Sequence, residues 1–307
     1  MSGAVTPRVS VGMPVRNLET TVARAIESVL AQTFTAFELI VSDNGSTDGT
    51  EAICRRYAAG DARIRYARQT PAISGVDNYR WVLEAARAPY FMWLAADDFI
   101  LPGLLAQAVG VLDARPDVVT CTPGVEFLEP DGRRRRAPGT FALMGTLDDN
   151  LRRFLYDPMD NSRFYGLGRR DVLRRVMPAR GDHAFDWIVS VGMLMAGRHW
   201  ELDEVLLVRE ANAPDKYSRM VDAAFSSAPA RLLPLLPFTR ALLFDLRVPR
   251  SPGILWALAR LNVVYHVLYS LYRYPRYGRL AQRVGAALER GAGAAWRAVR
   301  GKRPRLT

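Results

Sequence analysis

The sequence predicts an α/β fold built on a largely parallel sheet. Short apolar runs alternate with amphipathic stretches of about ten to fifteen residues through the first part of the chain, the pattern of βαβ units. Two of those runs stop abruptly in acids: Phe37-Glu-Leu-Ile-Val-Ser-Asp-Asn-Gly-Ser-Thr-Asp-Gly-Thr50 and Tyr90-Phe-Met-Trp-Leu-Ala-Ala-Asp-Asp-Phe99. A buried strand that delivers carboxylates to its C-terminal end places them where open α/β sheets bind ligands. With 307 residues and 49% apolar content, the chain has enough apolar mass for one large domain, or one domain plus an appendage.

Val9 to Met13 is the first predicted strand. After Pro14-Val-Arg-Asn17, a helical pattern sets Val22, Ile26, Val29 and Leu30 on one face, with Asn17 as the N-cap. Leu39 to Ser42 is the second strand and Asp48 to Ala58 the next helix. Ile64 to Ala67, Val76 to Ala86 and Tyr90 to Leu94 continue as strand, helix and strand, and a helix over Leu104 to Ala114 and a strand over Val118 to Thr122 complete the first half. The second half is less regular. Arg133 to Arg136, between Gly132 and Pro138, reads as an exposed loop or hairpin; Asp148 to Tyr156, Arg170 to Val176 and Phe185 to Ala196 read as helices, and His199 to Val208 as a strand. No internal repeat is visible.

The formal charge of +11 is unevenly spread, because residues 273–307 hold ten Arg or Lys against the single acid Glu289. The body is therefore close to neutral, and the basic character belongs to the tail. No nucleic-acid partner is expected. Cys54 and Cys121 fall in a helix and a strand with neither pairing nor metal-ligand spacing, which predicts reduced thiols in a reducing compartment. Met1 to Arg8 is short and polar, so no signal peptide is expected there. The expected location is cytoplasmic.

Asp43 and Asp48 suit a turn that caps the following helix, and Asp97-Asp98 suits an N-cap for the helix after Pro102. Asp48 is read as the cap, while Asp43, Asp97 and Asp98 also fit a ligand site at the strand ends. Arg68 at the third strand's end and Asn78 in the next helix are placed to touch such a ligand, or to hold structure.

Four elements, in order, resemble the inverting family 2 glycosyltransferases of the GT-A fold: Val9-Ser-Val-Gly-Met-Pro-Val-Arg-Asn17, Ser42-Asp-Asn-Gly-Ser-Thr-Asp-Gly-Thr50, Trp93-Leu-Ala-Ala-Asp-Asp98 and Asp186-Trp187 at a helix start. The resemblance covers about residues 8–210. It implies a Rossmann-like, mostly parallel mixed sheet flanked by helices over residues 1–210, with a nucleotide-sugar half to about 122 and an acceptor half from 123, followed by a helical, basic C-terminal extension over 211–307. The implied reaction moves a sugar from a nucleotide-diphosphate sugar to a hydroxyl of a glycan or lipid-linked acceptor, in cell-surface polysaccharide synthesis.

The resemblance also implies roles. Asp43 would read the base or ribose beside the backbone of Pro14 and Val15, with Asn17, Arg68 and Asn78 contributing to the nucleotide or diphosphate. Asp97 would hold a divalent cation, Mg or Mn, with Asp98 facing the ribose or the metal. Asp186 would be the general base that takes the acceptor's proton, with Asp182 and His183 as competitors and Tyr165-Gly-Leu-Gly-Arg-Arg170 bordering the acceptor. The family's metal motif often reads Asp-x-Asp-Asp, and its first position here is Ala95. Because Mg²⁺ held by one or two carboxylates completes its shell with water and phosphate oxygens, the missing acid does not exclude a metal. It keeps open a catalytically silent nucleotide-sugar binder or membrane scaffold. A nucleotidyltransferase is the other rival, disfavoured because no Gly- and Lys-rich phosphate loop follows the first strand.

Ile254 to Tyr272 is nearly long enough to span a bilayer, but Arg260, Asn262 and His266 interrupt it. After Pro275, Arg276, Arg283, Arg290 and Arg297 recur on one side of a helix whose other side carries Leu280, Val284, Leu288 and Trp296. This basic amphipathic pattern suits an anionic membrane surface, so the expectation is peripheral association with the cytosolic face of a membrane.

Overall fold

The computed structural model describes residues 6–156, 158, 160–179, 184–211 and 235–273, with the backbone alone from 267 onward. Its centre is a nine-stranded mixed sheet. In chain order the first elements are β1 (Val9–Val15), α1 (Val22–Leu30), β2 (Phe37–Asp43), α2 (Thr50–Gly60), β3 (Ile64–Arg68), α3 (Gly75–Glu84), β4 (Tyr90–Trp93), β5 (Phe99–Ile100), α4 (Leu104–Ala114), β6 (Val118–Leu128) and β7 (Arg134–Arg136). There follow α5 (Leu147–Tyr156), a 3₁₀ turn (Ser162–Tyr165), β8 (Leu167–Arg169), α6 (Arg170–Val176), α7 (Phe185–Ala196) and β9 (Arg198–Glu210). The last described elements are α8 (Leu236–Arg240), a π-helical turn (Ala241–Asp245) and α9 (Pro252–Arg273).

The strand order is β3-β2-β1-β4-β8-β6-β9-β5, with β7 paired to β6. The β3-β2-β1-β4 block is parallel, β8 inserts antiparallel between β4 and β6, and β9 runs parallel to β6. Every residue of β1 and β2 is buried, as expected for parallel strands covered on both faces. Gly12 is required there, since a Cβ would lie 2.6 Å from the Phe91 ring and 2.8 Å from Val82. The α1 stripe Val22, Ala25, Ile26 and Val29 is buried on one face of the sheet, at the i, i+3, i+4, i+7 spacing of an amphipathic helix. Glu38 is a buried charge within β2: its carboxylate accepts from the Ser10 hydroxyl at 2.6 Å, the Arg87 N–H at 2.8 Å and Arg65 at 2.9 Å.

On the other face, Trp93 stacks on Phe164 at 4.4 Å, and Tyr79 and Phe185 pack edge or tilted around Phe164 at 5.8 and 5.5 Å. These rings join α3, β4, the 3₁₀ turn and α7. The cluster fixes the start of α7 relative to the end of β4.

Two expectations change. Asn17 is not the cap of α1: it lies in the left-handed region (φ 52°) and the N-cap position is Thr21. Its Oδ1 instead accepts from the Thr47 N–H at 2.8 Å while its own N–H donates to Ser46 Oγ, because a short amide serves the neighbouring strand-end loop better than a helix five residues away. Nor does the Asp97-Asp98 pair cap α4, whose N-cap is Gly103 at φ 95°, without a side-chain cap. Arg134 to Arg136 is the hairpin strand β7, and Arg133 to Arg136 each face a carboxylate, Asp131, Glu126, Glu129 or Glu201.

The chain divides into two compact units, 1–211 with 238–257, and 212–237 with 258–307. In the described part of the second unit, Leu258 and Leu261 are buried, Val263 is exposed, and Asn262 donates to the Leu258 carbonyl one helical turn back. The basic segment after Arg273 lies outside the described residues.

Candidate active site

The order β3-β2-β1-β4 reverses direction between β1 and β4, and such a switch point opens a crevice at the strands' carboxyl ends. Pro14 and Val15 end β1 there, in register with Ser42 and Asp43 of β2. The Asp97-Asp98 turn leaves β4 on the other side of β1. The two acidic elements therefore stand two strand spacings apart, about 10 Å, across the switch point.

Asp43 is fully buried. One oxygen accepts from the Ser46 N–H at 2.8 Å, and the other from Tyr66 Oη and Arg68, each at 2.9 Å. Arg68 also reaches the Ser46 carbonyl and Glu51. Burial, then the bond to Asp43, pushes the Tyr66 phenol up to about 12. Asp43 thus closes its own turn, and Arg68 clamps that turn to β3. Asn78 is likewise committed to β2, donating to the Ser42 carbonyl and accepting from the Ser42 hydroxyl. Asp48 is not itself the N-cap of α2, which is Gly49, but it closes the turn into that helix: its carboxylate accepts from the Thr50 N–H at 3.0 Å and from the Glu19 N–H at 3.2 Å.

The turn after β4 is held from two sides. Arg24 of α1 donates to the Asp97 carbonyl at 2.9 Å and pairs with Glu210 at 2.6 Å. Asp98 is buried, accepting from the Glu210 N–H at 2.9 Å and from Arg209 Nε at 3.3 Å. Burial pushes the Asp98 carboxyl up to about 7, with Arg209 opposing and the neighbouring Asp97 adding to the rise. Arg209 stacks on Tyr165 at 4.5 Å and donates to Ser162 Oγ at 3.0 Å.

Asp186 sits in the first turn of α7, after Ala184 at φ 65°. Its Oδ2 accepts from Asn161 Nδ2 at 2.9 Å. Burial raises its pKa above the ordinary 3.8, opposed by Asn161, by backbone N–H groups of Trp187 and Asp186, and by the Arg209 charge. A carboxylate that is raised but still partly exposed is suited to take a proton from a hydroxyl. The competing candidates Asp182 and His183 lie outside the described residues. Of the Tyr165 to Arg170 segment, Tyr165 faces Arg209, while Arg169 pairs with the start of β4 and donates to carbonyls of Leu112, Arg115 and Val118.

The fit to a divalent cation depends on the donor set. Among the described residues no group of three or more His, Cys, Asp or Glu is placed to hold a metal. Asp97, partly exposed beside Asp98, offers hard carboxylate oxygen. That set fits a Mg or Mn ion shared with a diphosphate and water, and does not fit a cage made by protein alone.

Residues the sequence did not single out are Arg209, Glu210, Asn161, Ser162, Tyr66 and Arg24. Arg209-Glu210 closes the apolar run Val205 to Val208, the same signal that marks Asp43 and Asp97. Asn161 and Ser162 carry no comparable pattern.

Residues 10–177, more than half of the chain, match the family model Glycosyl transferase family 2, and the chain belongs to that family. Putative glycosyltransferase EpsH of Bacillus subtilis is 31% identical over 122 residues, 40% of this chain and 35% of its own. Putative glycosyltransferase EpsE of the same organism is 35% identical over 113 residues, 35% of this chain and 39% of its own. The matches span well under half the length of these relatives. Among solved structures, S. aureus TarS 1-349 in complex with UDP-GlcNAc aligns with a TM-score of 0.56 at 17% identity, covering 92% of each chain. Mannosyltransferase PcManGT from Pyrobaculum calidifontis, in complex with GDP-Man and Mn2+, aligns at 0.52 and 18% identity over 92% of this chain and 81% of its own. These likenesses show the fold, a GT-A mixed sheet flanked by helices.

Proposed function

We propose that the chain is an inverting glycosyltransferase, moving a sugar from a nucleotide-diphosphate sugar to a hydroxyl of a glycan or lipid-linked acceptor in cell-surface polysaccharide synthesis. One observation carries this: the switch-point crevice is flanked by the Asp97-Asp98 turn, and the partly exposed Asp186 carboxylate is tied to that turn through Asn161-Ser162 and Arg209. TarS with UDP-GlcNAc and PcManGT with GDP-Man and Mn2+ support a nucleotide-sugar donor for this fold.

Residues 1–210 carry the transfer chemistry in this account. The donor lies over the ends of β1 and β2, the nucleoside near Pro14, Val15, Asn17 and the Asp43 turn that Arg68 and Asn78 brace. A Mg or Mn ion at Asp97, with Asp98 behind it, would neutralise charge on the diphosphate. Asp186 accepts the acceptor hydroxyl's proton as that oxygen attacks the anomeric carbon, and the glycosidic bond to the diphosphate breaks on the opposite face. A single displacement inverts the configuration, with no covalent enzyme intermediate.

The chain works at the cytosolic face of a membrane, peripherally. No helix among the described residues is long and apolar enough to cross one. Phe244 and Trp256 are 62% and 60% exposed, close in sequence to Arg247 and Arg250, a pairing of aromatic and basic groups suited to an anionic interface.

The test is a screen of nucleotide sugars with Mg²⁺ or Mn²⁺, with product analysis. Release of nucleoside diphosphate with an anomerically inverted product is expected. Pyrophosphate release would indicate a nucleotidyltransferase, and donor binding without turnover a silent binder.

A further inference from the structure

We propose that Asn161 is the positioning residue for the Asp186 carboxylate, held in turn by Ser190, so that the Asn161-Ser162 turn sets the general base relative to the Asp97-Asp98 corner. The proposal rests on Asp186 as the base.

Asn161 is 1% exposed and Ser190 3% exposed. Ser190 Oγ donates to Asn161 Oδ1 at 3.0 Å, and Asn161 Nδ2 donates to Asp186 Oδ2 at 2.9 Å. An ionised carboxylate only accepts hydrogen bonds, so this arrangement requires the amide nitrogen to face Asp186. The serine hydroxyl, donating to the amide oxygen, locks the same orientation. Ser190 lies one turn beyond Asp186 on α7, so base and lock ride on one rigid helix.

The backbone at Asn161 supports a dedicated role. Its φ of 47° is in the left-handed region, where most side chains are strained and Asn is among the better tolerated. The next residue completes the connection. Ser162 Oγ donates to Asp160 and accepts from Arg209, whose Nε reaches Asp98. Arg163, buried over the Phe141 and Phe154 rings and donating to the Gly139 and Phe141 carbonyls, anchors the turn from behind. Two adjacent residues of one turn thus hold the base on one side and the donor corner on the other.

Among the described residues, the groups that act on Asp186 are Asn161 from the turn, the N–H groups of Asp186 and Trp187 from α7, and the charge of the Arg209 guanidinium from β9. Each favours the ionised form. Removing the Asn161 amide therefore makes the carboxylate harder to ionise and also loosens its aim.

The experiment compares kcat against pH, and donor Kd, for the full chain and for Asn161→Gly, Asn161→Asp, Ser190→Ala and Asp186→Asn. Glycine accepts the left-handed backbone without strain, which separates loss of the amide from loss of the fold. Asn161→Gly is expected to lower kcat by about 10²-fold through misplacement, to move the acidic limb up by about one unit, and to leave donor Kd unchanged. Asn161→Asp puts a like charge beside the base and moves the limb further in the same direction. Ser190→Ala, which removes only a hydroxyl, moves it less, and decides the matter if the glycine variant does not fold. An unmoved limb in Asn161→Gly, or in Ser190→Ala where that variant must decide, with Asp186→Asn inactive, overturns the positioning role alone. Normal transfer by Asp186→Asn overturns the base assignment, and the proposal with it.

Discussion

Arg209 Nε donates to Asp98 Oδ2 at 3.3 Å, and the next residue's N–H takes Asp98 Oδ1. Both oxygens of an aspartate that the sequence points toward the nucleotide or the metal are thereby tied to β9. In the proposed site the ion would then fall to Asp97, with Asp98 as the rivet that holds the turn.

Breaking such a buried pair from one side is costlier than removing it whole, because an uncompensated charge remains. Arg209→Met is expected to lower stability by about 3–5 kcal/mol. The double variant Asp98→Asn/Arg209→Met recovers most of that loss. Urea unfolding of the two single variants and the double variant measures the coupling; additive effects would show that the pair does not act as a unit.

The metal proposal makes opposite demands on two neighbours. Asp97→Asn weakens a shell in which the protein supplies few ligands, so turnover falls and more Mn²⁺ is needed for half-maximal activity. Ala95→Asp restores the acid found in the family's usual motif, and less Mn²⁺ is then needed. Metal titrations of activity that leave both variants superimposed on the parent chain would remove the ion from this turn.

Glu38 gives a pH signature for the fold. Burial pushes its carboxyl up, but the Ser10 hydroxyl, the Arg87 N–H and Arg65 together hold it below the ordinary 4.5. A carboxylate depressed in the folded state adds stability above its unfolded pKa and loses it as pH falls through the folded value. The chain is therefore expected to lose stability on acidification below about pH 4.5, and Glu38→Gln should flatten that slope while costing about 1–3 kcal/mol at neutral pH. Unfolding curves at several pH values decide it.

Membrane association is tested with vesicles of phosphatidylcholine containing phosphatidylglycerol. The full chain should sediment with them and be released by high salt, since attraction between basic residues and anionic lipid is screened. Removing residues 273–307 should shift the protein to the supernatant. Equal binding by full-length and shortened chains would relocate the contact to the segment carrying Phe244 and Trp256.

Much of this was legible in the sequence because strand ends announce themselves. Apolar runs ending in acids placed Asp43 and Asp97 at one sheet edge, and the periodicity of Val22, Ile26, Val29 and Leu30 marked α1, whose buried stripe takes Ala25 in place of Leu30. What escaped was long-range side-chain chemistry. Asn17 has the composition of a helix cap, yet its amide satisfies a loop about thirty residues away. Asp98 is an acid in an acidic motif, yet its partners lie more than a hundred residues on. Asn161 was invisible because a left-handed backbone and a buried amide leave no periodic mark.

The most direct test of the central claim is the pair of measurements on Asp186→Asn: donor affinity, and the rate of sugar transfer to an acceptor hydroxyl. The amide keeps the shape and the Asn161 neighbourhood but cannot take the proton. Donor affinity equal to that of the parent chain is expected, with transfer slower by about 10²–10⁴-fold. Transfer at the parent rate would contradict it.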